Sequence, residues 1–291
     1  MKHAAVLGAS SMLGRALCEL LSSRGIKVIK IGRTSGSDLQ FDLNSNTDIN
    51  CSLKFDVLFH CAASFADDSP AGATLNFQQN SYSASRILKL MDEGDCCQLV
   101  YAGTLASAMD FDSSGYTSYG LSKFMAESQF AWSLNNRSSL FCSLRFTHLI
   151  DDDGDCIRHQ PWFGRLVAYA GSGNKLTLPD SLGPRNFLHV QDAAELLIRA
   201  AMQKVQGVYP VLSDEYWLMH QLADLAYRVF GKGGSWYINT QKTPFRQLNY
   251  PIHSELWSLL DYKQKLTMEQ YLRRLAELNT VNQFGPLDVS A

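Results

Sequence analysis

Tyr119 and Lys123 stand four residues apart in the run Thr117-Ser118-Tyr119-Gly120-Leu121-Ser122-Lys123-Phe124-Met125-Ala126-Glu127. On a helix that spacing puts both side chains on one face, with the ammonium one turn from the phenol. A free phenol ionises at about pH 10 and is protonated at neutrality. A neighbouring ammonium favours the phenolate, and a phenol tuned in this way exchanges a proton with a carbonyl or an alcohol. Any amphipathic helix can carry Tyr-x-x-x-Lys by chance, as a half-buried Tyr beside a solvated Lys. The weight of the pair therefore depends on the elements around it.

The chain opens with an apolar run, His3 to Leu7, that ends in Gly8-Ala9-Ser10-Ser11-Met12-Leu13-Gly14. A periodic helix follows, with Leu13, Leu17, Leu20 and Leu21 on one side, closing near Gly25. Strand, glycine turn and helix form the context in which such a loop holds a dinucleotide. Gly8 permits the tight turn, and backbone N–H groups of Ser10, Ser11, Met12 and Leu13 at the helix start receive a pyrophosphate. Gly14 lets the helix lie close to the strand. Ser11 replaces the middle glycine; its N–H is expected to stay available while its side chain limits the approach of phosphate. The alternative is a plain strand–helix turn. The second strand, Lys27 to Ile31, runs into Gly32-Arg33 where an NAD-binding chain usually carries an acid. A guanidinium there suits a 2′-phosphate, which favours NADP(H) over NAD(H) unless Arg33 is a solvated turn residue. Asp42-Leu43 closes a third short strand.

Phe55 to Cys61 is nearly all apolar, as a strand buried on both faces should be, and it opens into the small residues Ala62-Ala63-Ser64. A helix from about Thr74 to Met91 carries Asn80, with Ile87, Leu88 and Met91 facing inward. The strand Gln98 to Ala102 delivers Gly103-Thr104 at its C-terminal edge, where ligands bind in open α/β sheets. Leu140 to Phe146 is a further strand. Beyond residue 150 the pattern predicts helices over 162–170, 191–201, 216–230 and 267–277, and strands after Pro184 and over 207–212. The carboxylates of Asp151-Asp152-Asp153-Gly154-Asp155 lack the alternation of a calcium loop and read as a solvated loop.

With 291 residues the chain is long enough for one or two domains. Its net charge of -2, with 19% charged residues, offers no basic field for nucleic acid or an anionic membrane. Seven cysteines without a CxxC pair suit a reducing compartment, and seven histidines without HExxH spacing predict no metal. No apolar run is long enough to span a bilayer. These features together predict a cytoplasmic protein.

Seven segments in order (Gly8–Gly14, His60-Cys61-Ala62-Ala63, Asn80, Val100–Thr104, Tyr119–Glu127, Leu144-Arg145 and Arg185–Ala194) resemble an extended short-chain dehydrogenase/reductase of the nucleotide-sugar epimerase, dehydratase and reductase branch. The resemblance implies a Rossmann-type doubly wound parallel sheet with a smaller C-terminal substrate domain. The dinucleotide-binding part is expected over 1–150 with 185–212 returning to it, and the substrate domain over 151–184 and 213–291. It implies Thr104, Tyr119 and Lys123 as the catalytic set, with Asn80 supporting the lysine through a water. It further implies Asp42 and Leu43 near the adenine, Cys61, Ala62 and Ala63 beside the cofactor, and Phe146 and Thr147 beside the nicotinamide. Arg185 is expected on the diphosphate, or else in an ion pair within its loop. Leu105-Ala106 replace the Asp-Glu of the family's 4,6-dehydratases, which argues against dehydration, and the 104–119 stretch is short. His148 replaces the usual Asn, and Ile150 and Asp151 the usual Tyr and Gly. His148 is thus a substrate contact, a second titrating group or a packed edge residue.

The leading expectation is an NADP(H)-dependent reductase of a keto-sugar nucleotide. A nucleotide-sugar epimerase is the first alternative, and a non-catalytic dinucleotide-binding regulatory subunit or a reductase of another small carbonyl a further one. A homodimer is expected through the helices bearing Asn80 and Tyr119, with Phe77, Tyr82, Phe130 and Trp132 supplying surplus apolar surface.

Overall fold

The computed structural model describes residues 1–45, 51–108, 116–248, 250 and 255–285. The chain begins β1 (His3–Leu7), α1 (Met12–Ser23), β2 (Lys27–Gly32), β3 (Leu39–Gln40) and β4 (Val57–His60). It continues through α2 (Pro70–Asn76), a π-helical segment (Phe77–Tyr82), α3 (Ala84–Glu93), β5 (Gln98–Thr104), α4 (Ser118–Asn136) and β6 (Leu140–Phe146). Then come β7 (His148–Ile150), α5 (Pro161–Ser172), β8 (Leu176–Leu178), β9 (Arg185–His189), α6 (Val190–Met202), β10 (Gly207–Val211) and β11 (Tyr216–Trp217). The last elements are α7 (Met219–Phe230), β12 (Trp236–Ile238), α8 (Leu256–Leu259) and α9 (Met268–Leu278).

Packing divides these elements into two units, 1–147 with 190–211 and 251–262, and 148–189 with 212–250 and 263–291. The first holds a seven-stranded sheet in the order β10-β6-β5-β4-β1-β2-β3, and every neighbouring pair is parallel. Strands buried on both faces need near-continuous apolar runs, and β1 and β4 supply them: from Ala4 to Leu7 and from Val57 to His60 every residue is buried. The strand order reverses between β1 and β4, the place where loops after neighbouring strands diverge and leave a crevice. Cys61 extends this junction, its N–H donating to the Leu7 carbonyl at 2.8 Å.

The second unit has a three-stranded sheet, β11-β9-β7, and a β12-β8 pair, with α5 and α9 both packed on α7. Here the expected boundaries are corrected. Arg185–His189 pairs in parallel with His148–Ile150 and stays in this unit instead of returning to the large sheet. Residues 255–262 go the other way: the Arg199 guanidinium donates to the carbonyls of Leu260 and Asp261, and the Tyr262 hydroxyl donates to Asp192 at 2.6 Å. The carboxylate run is not a solvated loop either. Asp151 is buried and accepts from the N–H groups of Asp153, Asp155 and Cys156, holding the turn that follows.

Three element boundaries differ from the sequence reading for physical reasons. The helix expected at Thr74 starts at Pro70, where the Ser69 hydroxyl accepts from Gly72 N–H and proline occupies the first turn. It then widens into the π-helical segment before α3. The helix expected from Tyr216 starts at Met219, because Tyr216 and Trp217 pair with β9. The third strand ends at Gln40, leaving Asp42-Leu43 in the turn beyond it. Of the four aromatics expected to be surplus, Phe130 is 0% exposed within the core and Phe77 is half-buried, while Tyr82 and Trp132 are 67% and 73% exposed. Among the described residues no helix is long and apolar enough to cross a membrane.

Candidate active site

The loop after β1 needs glycine twice. Gly8 has φ +86°, and a Cβ there would meet the Ala62 backbone at 2.6 Å; a Cβ on Gly14 would meet the Gly8 carbonyl at 2.1 Å. The second contact is what lets α1 start against the strand end. Ser11 behaves otherwise than expected. Its N–H donates to the Gly8 carbonyl at 2.9 Å and its hydroxyl accepts from Gly14 N–H at 3.0 Å, so it caps the helix and its own N–H is spent. Helix geometry leaves the first-turn N–H groups of Met12 and Leu13 without intrahelical partners, and these are the donors an anion would meet. Ser10 is exposed, and its carbonyl accepts from the Arg15 guanidinium. Arg33 stands exposed at the end of β2. Phe41 N–H donates to the Gly32 carbonyl and brings the next turn to that strand end, where Asp42 accepts from Asn44 N–H and Leu43 packs on the core. Ala62 and Ala63 are half-buried and exposed, whereas burial pushes the Cys61 thiol up to about 12, so it stays protonated.

Thr104 ends β5 in register with Phe146, which ends β6 and pairs in turn with Val211. Thr147 N–H then donates to the Val211 carbonyl at 3.2 Å, so Phe146 and Thr147 sit at the same sheet edge as Thr104. The N-cap of α4 is Thr117, and Gly120 in its first turn lies so close to residues 105–108 that a Cβ would meet the Ala106 carbonyl at 2.6 Å. This close approach brings Tyr119 into the neighbourhood of Thr104. Burial raises the Tyr119 phenol to about 12, and its interaction with the Thr104 hydroxyl opposes the shift.

Lys123, one helical turn from Tyr119, is 2% exposed. Its ammonium donates to the Ala102 carbonyl at 2.8 Å and lies 4.0 Å from the centroid of the Tyr101 ring. Burial lowers it to about 7, against the opposing pull of the Cys61 and Glu127 side chains. Asn80 uses its amide to hold the loop after β4. Its oxygen accepts from Ser64 N–H at 2.7 Å, and its nitrogen donates to the Ser64 carbonyl at 3.0 Å and to Ser122 Oγ at 2.9 Å.

A model of the NAD dependent epimerase/dehydratase family matches residues 4–211. The chain belongs to that family. It is an enzyme of the NAD(P)-dependent oxidoreductase and epimerase type, and its cofactor class is a nicotinamide dinucleotide. No curated protein sequence matches it. Among solved structures it resembles a UDP-glucuronic acid 4-epimerase variant from Bacillus cereus in complex with a fluorinated UDP-sugar and NAD, with TM-score 0.80, 18% identity and coverage of 97% of this chain and 100% of the other. UDP-N-acetylglucosamine 4-epimerase from Bacillus cereus gives TM-score 0.76 and 21% identity over 96% and 99% of the two chains. RMD from Pseudomonas aeruginosa, complexed with NADPH, gives TM-score 0.76 and 17% identity over 95% and 97%.

The remaining expected site residues of this family member belong to the second unit. His148 is half-buried between the Phe187 and Trp162 rings, with Nδ1 3.2 Å from the Asn186 carbonyl. Burial and the Arg185 charge take it down to about 4, so it is neutral at pH 7 and is no second titrating group there. Arg185 is buried, and its two terminal nitrogens donate to the carbonyls of Gly183, Pro184 and Arg246. Among the described residues, backbone carbonyls thus meet both terminal nitrogens of its fork but not its Nε–H. The shortened 104–119 stretch falls partly on residues 109–115, outside the described residues. Sequence reading missed Glu127, whose buried carboxylate accepts from Ser143 Oγ at 2.5 Å and from Arg145 Nε at 3.1 Å. Its signal was present: Glu127 stands four residues after Lys123, as Lys123 does after Tyr119.

Proposed function

We propose that the protein is an NAD(P)-dependent nucleotide-sugar epimerase that oxidises and re-reduces one sugar carbon. The observation that carries this reading is the juxtaposition of Thr104 and Tyr119 at the C-terminal edge of the sheet, where α4 approaches the end of β5, in a chain of the epimerase/dehydratase family. The resemblance to UDP-sugar 4-epimerases supports the epimerase ahead of the reductase first expected from sequence. The residues fit a dinucleotide: Gly8 and Gly14 let the turn after β1 pack tightly under the start of α1, and Met12 and Leu13 there offer N–H groups to a pyrophosphate. When bound, the nicotinamide supplies the hydride acceptor and donor. Tyr119 is the proton-exchanging group, taking the proton of the sugar hydroxyl as a carbonyl forms and returning it afterwards. Thr104 hydrogen-bonds at the same oxygen and holds the phenol's orientation. With its phenol near 12, Tyr119 is protonated at neutral pH, ready to donate; accepting a proton requires the phenolate, which a charged Lys123 favours.

A reductase is the second reading, and Arg33 favours it. It stands exposed where an acid would hold the ribose hydroxyls of NAD. Purified protein incubated with UDP-N-acetylglucosamine, UDP-glucose or UDP-glucuronic acid, with no added reductant, is expected to give the 4-epimer and to carry bound NAD. Stoichiometric loss of NADPH absorbance with a 4-keto sugar nucleotide would establish the reductase instead. In that case Arg33→Ala raises the KM for NADPH by roughly ten- to a hundred-fold and leaves NADH nearly unaffected. Absence of both activities defeats both readings. A cytoplasmic location is proposed from the seven free thiols, and a homodimer from the exposed Tyr82 and Trp132.

A further inference from the structure

We propose that Asn76 and Phe65 are positioning residues for Tyr119, joined in a two-rung asparagine clamp that holds residues 64–66 against α4. The proposal rests on the reading of Tyr119 as the proton-exchanging group and extends it to residues outside the Thr104–Tyr119–Lys123 set.

The two rungs repeat one pattern. Asn80 grips Ser64 through both backbone groups and donates its remaining proton to Ser122 Oγ. Asn76, one turn earlier, does the same two residues along: its oxygen accepts from Ala66 N–H at 2.9 Å, and its nitrogen donates to the Ala66 carbonyl at 3.1 Å and to Ser118 Oγ at 2.9 Å. Both amides are buried, and each spends its two donor protons, so neither can rotate without loss. The π-helical segment begins immediately after Asn76 and contains Asn80. A third tie comes from Asp68, whose carboxylate accepts from Ser118 N–H at 2.7 Å.

These ties matter because of what lies between them. Ser118 and Ser122 flank Tyr119 on α4, so the rungs grip the helix on either side of the phenol. Residues 64 and 66 both turn their backbone to the asparagines, and Phe65 between them is directed to Tyr119, ring to ring at 4.7 Å and 72°. Phe65 is 52% exposed and keeps this ring contact with Tyr119. It shields the phenol ring, and the burial that raises the Tyr119 pKa depends in part on that cover.

The test uses the full chain labelled with 13Cζ-tyrosine, with the Tyr119 signal assigned by its absence in Tyr119→Phe. Tyr101, which interacts electrostatically with Tyr119, is followed in the same spectra as a control. Up to pH 10.5 the wild-type Tyr119 signal is expected to stay put. In Asn76→Ala and Phe65→Ala it moves by a third or more of its full ionisation shift, because water reaches the ring. Both variants are expected to lose roughly ten-fold in kcat with KM unchanged, while Phe65→Tyr, which keeps the ring, restores kcat and the wild-type titration. Asn76→Asp keeps the acceptor and loses the donor to Ser118, so it serves if Asn76→Ala does not fold. Unchanged titration and kcat in the Ala variants, or no rescue by Phe65→Tyr, overturns the proposal. If the wild-type protein turns over no nucleotide sugar, the functional reading fails, and the titration alone still decides whether the clamp shields Tyr119.

Discussion

Lys123 in the first unit and Arg185 in the second are both buried cations on expected site positions, and their partners differ in kind. Lys123 has one carbonyl and the face of an aromatic ring, which replace only part of the water an ammonium loses. Its proton affinity falls accordingly, to about 7. Arg185 has three backbone carbonyls spread over its planar fork, and it keeps its charge because a guanidinium cannot shed it in this range. An under-solvated cation one helical turn from Tyr119 is poised to respond to what binds. One held by several backbone carbonyls fastens its loop. The comparison teaches that burial alone does not mark a reactive group; the unfilled part of its hydrogen-bonding capacity does.

Three substitutions test this contrast. Tyr119→Phe is expected to have the largest effect, a loss of roughly 100- to 10,000-fold in kcat with dinucleotide binding and Tm near wild type. Activity within a few-fold of wild type would remove the phenol from the chemistry, and with it the contrast. Arg185→Met should show the opposite profile. Leaving buried carbonyls unpaired costs roughly 1–3 kcal/mol, a fall of several degrees in Tm. A raised KM for nucleotide sugar with Tm unchanged would instead make Arg185 a ligand-binding fork.

The smallest effect separates the two cations through pH. Burial depresses Lys123 from 10.5 to about 7, so between those values the unfolded chain binds this proton more fully than the folded one. Stability therefore rises with pH across that window. Lys123→Met removes this contribution: its Tm is expected to exceed wild type by roughly a few degrees at pH 7, with the advantage closing by pH 10. Thermal melts at pH 7, 8.5 and 10 would show it, and a gap that does not narrow would mean that Lys123 is not depressed. Arg185→Met should show no comparable slope.

The first unit was the more legible in sequence because its signals are local. Apolar runs marked β1 and β4, Gly8 and Gly14 marked the turn between strand and helix, and Thr117 capped α4 where its Tyr-Lys face begins. The second unit offered little of this, since β7, β8 and β12 are three residues each and gain their meaning from partners far along the chain. Arg185 illustrates the difficulty. A guanidinium in a loop reads as a phosphate binder, and only the fold shows the carbonyls of Gly183, Pro184 and Arg246 converging on it.

The sequence by itself determined the buried strands of the parallel sheet, the glycine turn and, through motifs spread along the chain, the family. The first two depend on residue types at short spacing, which backbone geometry converts directly into position. Tertiary structure alone decided which polar groups remain unspent. The Ser11 N–H and both donor protons of the Asn80 amide are consumed, the terminal nitrogens of Arg185 meet backbone carbonyls, and the Lys123 ammonium donates to Ala102. Hydrogen-bond capacity is finite, and its allocation follows from which distant segments the fold brings within about 3 Å, a quantity no local pattern encodes.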